Sequence, residues 1–201
     1  MTFYFVRHGQ TEANRMRLLA GSGLDYELNE EGRAQAGRLA MAIAGGAQAP
    51  AAPVSPFSLS PAPKRLFASQ LKRAHQTAQT LAPHLNLNVE VHPHWAEWDL
   101  GEWEGQPSGN LLQFMLGDGE PKEGESRKVF YARIRQAFEA SLAHQEPFMV
   151  VSHGGVWMAL QDILQVERFR VANCDLVKVQ KKSSAWHAEL LHRVELPREP
   201  A

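Results

Sequence analysis

The residues best suited to chemistry stand at three places far apart in the chain. They are Arg7-His8-Gly9 in "FYFVRHGQTEAN", Arg73 in "RLFASQLKRAHQTAQTL", and His153-Gly154 in "FMVVSHGGVW". Each follows a short apolar run, and a strand that ends in Arg-His-Gly asks for a functional reason, because arginine is rarely buried without a partner. Guanidinium groups are planar forks suited to a doubly charged oxyanion such as phosphate. Helix N-termini add backbone donors and positive dipole potential for the same anion. An imidazole can attack phosphorus and carry the phosphoryl group covalently, dividing one hard displacement into two. Such a transfer asks for positioning and charge neutralisation, which two Arg and two His supply without a metal or cofactor. A leaving alkoxide also needs a proton. The stretch "HWAEWDLGEWEG", residues 94–105, offers Glu97, Asp99, Glu102 and Glu104, and spacing does not choose among them.

The elements that must position these groups are legible as alternating strands and helices. Strand-like runs occur at Phe3–Val6, Arg65–Ala68, Val89–Val91, Phe148–Ser152, Asp175–Gln180 and Ala185–Leu190. Helical stripes run through Ala36, Leu39, Ala40 and Ile43; Leu71, Ala74, Ala78 and Leu81; Phe130, Ile134, Ala137 and Phe138; and Val156, Leu160, Ile163 and Leu164. This alternation predicts an α/β domain with a largely parallel sheet covered on both faces and an antiparallel hairpin at one edge. Arg7-His8, the segment after Ala68, and His153 then share the carboxyl edge of the sheet, where open α/β folds build ligand sites. Ser69 reads as a helix N-cap before Arg73, and Ser126 as another before the third helix.

Composition narrows the class. The chain has 201 residues, 44% hydrophobic and 21% charged, with a formal net charge of −1. That balance gives no general attraction to nucleic acid or anionic membrane, and no run approaches the ~20 apolar residues of a membrane span. A single domain over residues 1–201 is expected. One cysteine, Cys174, leaves no internal disulfide and reads as a small buried hydrophobe. A strand beginning within two residues of the N-terminus leaves no room for a signal peptide, so a cytoplasmic location is expected. The Ala/Pro-rich segment 44–63 reads as a surface loop inside the domain. His92 and His94 have a His-x-His spacing without a third ligand, so no metal site is expected. Trp95, Trp98 and Trp103 read as core or pocket wall.

Taken in order, these motifs resemble the histidine phosphatase superfamily, also called phosphoglycerate mutase-like. "RHGQTEAN" is similar to its Arg-His-Gly signature, "GSGLDYELNEEGRAQA" to the following loop and helix, and "ASQLKRAHQTA" to the second-arginine motif. "EWDLGEWEG" resembles the acid motif, "GES" at 124–126 a further feature, and "VVSHGG" the second-histidine motif. The resemblance implies a three-layer α/β/α sandwich. It implies His8 as the nucleophile and Glu97 as the proton donor, with Arg7, Arg73 and His153 completing the phosphate pocket. Asn14, Thr11, Gly154 and Gly21 become candidate substrate contacts, Gly21 at the start of a loop, Gly21–Leu28, on the leaving-group side. Mutase members place basic residues directly after the glutamate to hold a carboxylated substrate, whereas Trp98 and Asp99 stand here. An acid there would repel such a carboxylate by on the order of a kcal/mol. The resemblance therefore favours the small phosphatases, including those acting on alpha-ribazole phosphate and the broad-specificity ones, with a small phosphate ester as substrate. A phosphoglycerate mutase is the enzyme alternative. A phospho-ligand binding protein without turnover is the non-enzyme one.

Overall fold

Apolar side chains alternate along the central strands so cleanly that these strands feed two separate cores. In the computed structural model, which describes residues 1–45, 59–117 and 119–194, Phe3 and Phe5 of β1 (Thr2–Arg7) lie in one cluster and Tyr4 and Val6 in the other. The same period-2 split divides Phe148 and Val150 from Met149 and Val151 in β4 (Phe148–Ser152). A sheet buried on both faces needs helices on both. One face is covered by α2 (Glu30–Ile43) and α3 (Lys72–Leu85), the other by α5 (Arg127–Leu142) and α6 (Gly154–Leu164). The result is the expected three-layer sandwich. Two short helices, α1 (Glu12–Arg15) and α4 (Leu111–Gly117), lie in the connections.

With β2 (Arg65–Ala68), β3 (Val89–Val91), β5 (Leu176–Lys182) and β6 (Ala185–His192), the six strands run in the order β3-β2-β4-β1-β5-β6. The first four are mutually parallel, and β5 and β6 close one edge antiparallel. The final hairpin turns at Ser183 and Ser184, with Ser183 at φ 54°, so β5 runs two residues further toward the turn than the sequence pattern indicated, and β6 runs on to His192 at its far end. Asp175 is not part of β5. Its buried carboxylate accepts the Ala172 N–H at 2.8 Å and pairs with Arg193 at 2.9 Å, which ends the loop before the strand begins.

Trp95, Trp98 and Trp103 are buried, with Trp98 stacked on Phe130 at 5.4 Å. Cys174 is buried as expected, and burial raises its thiol pKa. Ser126 caps α5 by accepting the Val129 N–H. Most of the Ala/Pro-rich segment, residues 46–58, lies outside the described residues. In its described end, Pro61 O accepts the Tyr4 hydroxyl at 2.9 Å. No helix among the described residues is long and apolar enough to cross a membrane.

Candidate active site

Strand register brings the chemistry together. Arg7 pairs with Ser152 and Ala68 with Val151, so the next residues, His8, His153 and Ser69, emerge side by side from three adjacent parallel strands. The His8 N–H donates to Ser152 O at 2.9 Å and the Ser69 N–H to Val151 O at 3.1 Å, extending the ladder one step past each strand. The His8 and His153 rings are 5.1 Å apart, and both are nearly sealed from solvent, at 4% and 0% exposure.

His8 Nδ1 lies 2.7 Å from Gly9 O. A carbonyl only accepts, so Nδ1 carries the proton and Nε2 keeps its lone pair. Burial, then the charges of Arg73 and Arg7, hold the His8 pKa well below its ordinary value. His153 is pushed well below in the same way, by burial and then by Arg73, His8, Arg7 and Arg133. Arg7 reaches Val171 O through Nη1 at 2.9 Å, while its Nε is buried with no partner among the described residues. Arg73, 2% exposed, donates to Gly21 O at 2.7 Å and Leu24 O at 3.2 Å. Burial lowers the pKa of both arginines against the opposing pull of Glu97.

Glu97 reaches this edge through a wrap of loop after β3. Its Oε1 accepts the Trp98 N–H at 2.9 Å and its Oε2 the Gly155 N–H at 3.0 Å, tying the acid to the first turn of α6. Arg133 holds the loop from behind. It donates to His94 O, Ala96 O and Glu97 O at 2.9, 3.0 and 3.1 Å, and its fork engages Glu125 at 2.9 and 2.7 Å. Two other acids of the stretch are engaged elsewhere, and Glu102 is exposed. Asp99 accepts the Gly101 N–H at 3.1 Å, and Glu104 the Gly23 N–H at 3.0 Å.

Other sequence candidates take supporting places. Thr11 caps α1 and Asn14 completes a reciprocal capping box, its Oδ1 accepting the Thr11 N–H at 3.1 Å. Gly21, at φ 52°, offers its carbonyl to Arg73, and a Cβ there would meet Glu104 Oε1 at 2.0 Å. Gly154 opens α6 against the Arg7 guanidinium, where a Cβ would lie 3.6 Å from Nε. Ser69 is not the cap of α3. That position is Leu71, which makes no side-chain cap bond, and Asp25 from a separate loop accepts the Lys72 N–H at 2.8 Å. Ser69 Oγ instead contacts His153 Nε2 at 2.8 Å. His92 Nδ1 accepts the His94 N–H, and no metal-holding group of three His, Cys, Asp or Glu occurs among the described residues.

Sequence reasoning missed two supports of the His8 turn. Thr77 Oγ1 accepts the Gly9 N–H at 3.0 Å and donates to Arg73 O at 2.7 Å, joining the two motifs through one hydroxyl. Its place one helical turn after Arg73 was the available signal. Asn173 Nδ2 donates to His8 O at 2.8 Å from the loop after α6, and no local pattern marks it.

The histidine phosphatase superfamily (branch 1) matches residues 3–193 of this sequence. The chain belongs to that family. This histidine phosphatase is 32% identical over 178 residues to the glucosyl-3-phosphoglycerate phosphatase of Mycobacterium tuberculosis H37Rv, covering 79% of this chain and 73% of that protein. It is also 29% identical to a Yersinia enterocolitica protein that carries the phosphoglycerate mutase name GpmB, over 92% of this chain and 87% of that one. Its fold matches the alpha-ribazole phosphatase of Shigella flexneri with a TM-score of 0.72 at 22% identity, over 100% of both chains. Family and relatives together make it a phosphoric monoester hydrolase.

Proposed function

We propose that this histidine phosphatase hydrolyses a small-molecule phosphomonoester without a metal, through a phosphohistidine on His8. The observation that carries the reading is the His8 ring, with Nδ1 spent on Gly9 O and Nε2 left as a lone pair in the field of the buried Arg73 and the half-buried Arg7. Arg7 Nε and His153 Nδ1, both buried without partners among the described residues, are the groups an incoming phosphoryl oxygen would satisfy. The N-terminus of α6 adds its dipole to the same anion. In the first step Nε2 bonds to phosphorus, the ester P–O bond breaks, and the leaving oxygen takes a proton from Glu97. In the second, water gives a proton back to Glu97 as its oxygen attacks phosphorus, and the P–N bond breaks to release inorganic phosphate. Hydrolysis is favoured over mutase transfer because the positions after Glu97 supply no cation for a substrate carboxylate. Trp98 is turned into the core and Asp99 holds Gly101.

The test is phosphate release from p-nitrophenyl phosphate and a panel of sugar, nucleotide, glycerate, glucosylglycerate and ribazole phosphates. Chelator is present throughout, and His8→Ala serves as control. Turnover that survives chelation, vanishes in the variant and passes through an acid-labile phosphoenzyme is the expected result. No release from any ester, with phosphate exchange on bisphosphoglycerate instead, would replace the reading by the mutase one.

A further inference from the structure

Ser69 is wholly buried, and its Oγ makes two contacts. It accepts the Leu71 backbone N–H at 3.2 Å and lies 2.8 Å from His153 Nε2. His153 Nδ1 is buried with no hydrogen-bond partner among the described residues. We propose that Ser69 donates its hydroxyl proton to His153 Nε2 and so holds His153 as the neutral tautomer whose Nδ1–H remains for the substrate anion.

A hydroxyl has one proton and two lone pairs, and the Leu71 N–H already engages one lone pair. Were Ser69 to accept from an Nε2–H as well, its own proton would be buried without an acceptor. His153 would then present an Nδ1 lone pair to an oxyanion, so both ends would be unsatisfied. In the proposed direction each proton has an acceptor once phosphate is bound. An imidazolium would also donate from Nδ1, but its Nε2–H would return Ser69 to the acceptor role and orphan the hydroxyl proton. Burial beside Arg73, His8 and Arg7 opposes that charge as well. Both histidines are then the neutral Nδ1–H tautomer, and they turn opposite ends of it to the substrate. Gly9 O makes His8 present a lone pair, and Ser69 makes His153 present a proton. Ser69 is a positioning residue. Its consequence for catalysis rests on the phosphohistidine reading above, whereas the tautomer does not.

The experiment is a long-range proton–nitrogen correlation spectrum of the full chain labelled with 15N-histidine, His153 being assigned by the loss of its signals in His153→Gln. The expected wild-type spectrum shows His153 Nδ1 as a protonated nitrogen and Nε2 as a lone-pair nitrogen. Ser69→Ala should abolish that preference and weaken inorganic phosphate binding on the order of tenfold, as expected for one hydrogen bond to a charged ligand. Ser69→Thr, which keeps the hydroxyl, should restore both. A wild-type Nε2–H tautomer or imidazolium would overturn the proposal, and so would a Ser69→Ala variant with unchanged tautomer and affinity. If Ser69→Ala does not fold, the wild-type and Ser69→Thr spectra decide. A wild-type enzyme with the Nδ1–H tautomer but no affinity for phosphate would instead remove the phosphate-site reading while the tautomer assignment stood.

Discussion

An imidazole is nucleophilic only while one ring nitrogen lacks a proton, and at His8 two separate causes protect that state. The Gly9 carbonyl fixes the single proton on Nδ1, while burial and the charges of Arg73 and Arg7 oppose a second one. The acid limb of kcat/KM due to His8 should therefore lie below pH ~6.5, the value for an unperturbed histidine. A limb centred at that value would contradict the arrangement. The same shift acts on stability. His8 and His153 both have folded pKa values below their unfolded ones, so between the two values the unfolded chain binds more protons. Stability from these groups is thus present above about pH 6.5 and lost as pH falls through the window beneath it. His92 and His192, also lowered by burial, add in the same direction. Urea midpoints should hold steady near neutrality and fall progressively in mild acid, with a shallower fall in His8→Gln. A flat profile would show that the buried rings do not carry this linkage.

Between elements, the site depends on glycines and on one arginine that never needs to meet the substrate. A Cβ at Gly155 would stand 2.4 Å from Glu97 Oε1, so Gly155→Ala should push the acid off the α6 turn. It should slow alkyl phosphates more than p-nitrophenyl phosphate, whose leaving group needs little protonation. Equal slowing of both would mean that the phosphate cradle itself had moved. Arg133→Lys keeps the charge but loses the fork on Glu125 and the triple carbonyl grip, so kcat for alkyl esters should fall on the order of tenfold. Affinity for inorganic phosphate should stay unchanged. Gly9 and Gly32 mark an equally close approach, since a Cβ on Gly32 would lie 2.0 Å from Gln10 O. Gly32→Ala should destabilise by about 1–3 kcal/mol in urea unfolding, the usual cost of overpacking. Strands, helix stripes and the residues at strand ends were legible in the sequence because period and motif are local. What was not legible depends on contacts between distant segments: Arg133 behind the acid loop, Asn173 on His8 O, and Asp25 capping α3 in place of Ser69. Asp99 was legible only in part for the same reason. Its charge was visible, but its turn at Gly101 was not.

On the scale of the whole molecule, the sheet order separates the order of synthesis from the order of assembly. β1 sits between β4 and β5, so the strand that carries Arg7 has no sheet neighbour until residues 148–152 and then 176–182 are present. Such pairings between distant segments are slow to form, because loop closure must precede the contacts that reward it. Phe3, Tyr4, Phe5 and Val6, all buried in the fold, are meanwhile an apolar stretch with open backbone donors and acceptors, a hazard for association of nascent chains. In pulsed hydrogen exchange during refolding, β1 amides should gain protection together with those of β4 and β5. Protection of β1 well before β4 would show that it finds another partner first. The strand that opens the chain closes the fold, so a ribosome-bound chain stopped short of β4 has His8 but no means of using it. The enzyme's competence waits on strands made long after its nucleophile.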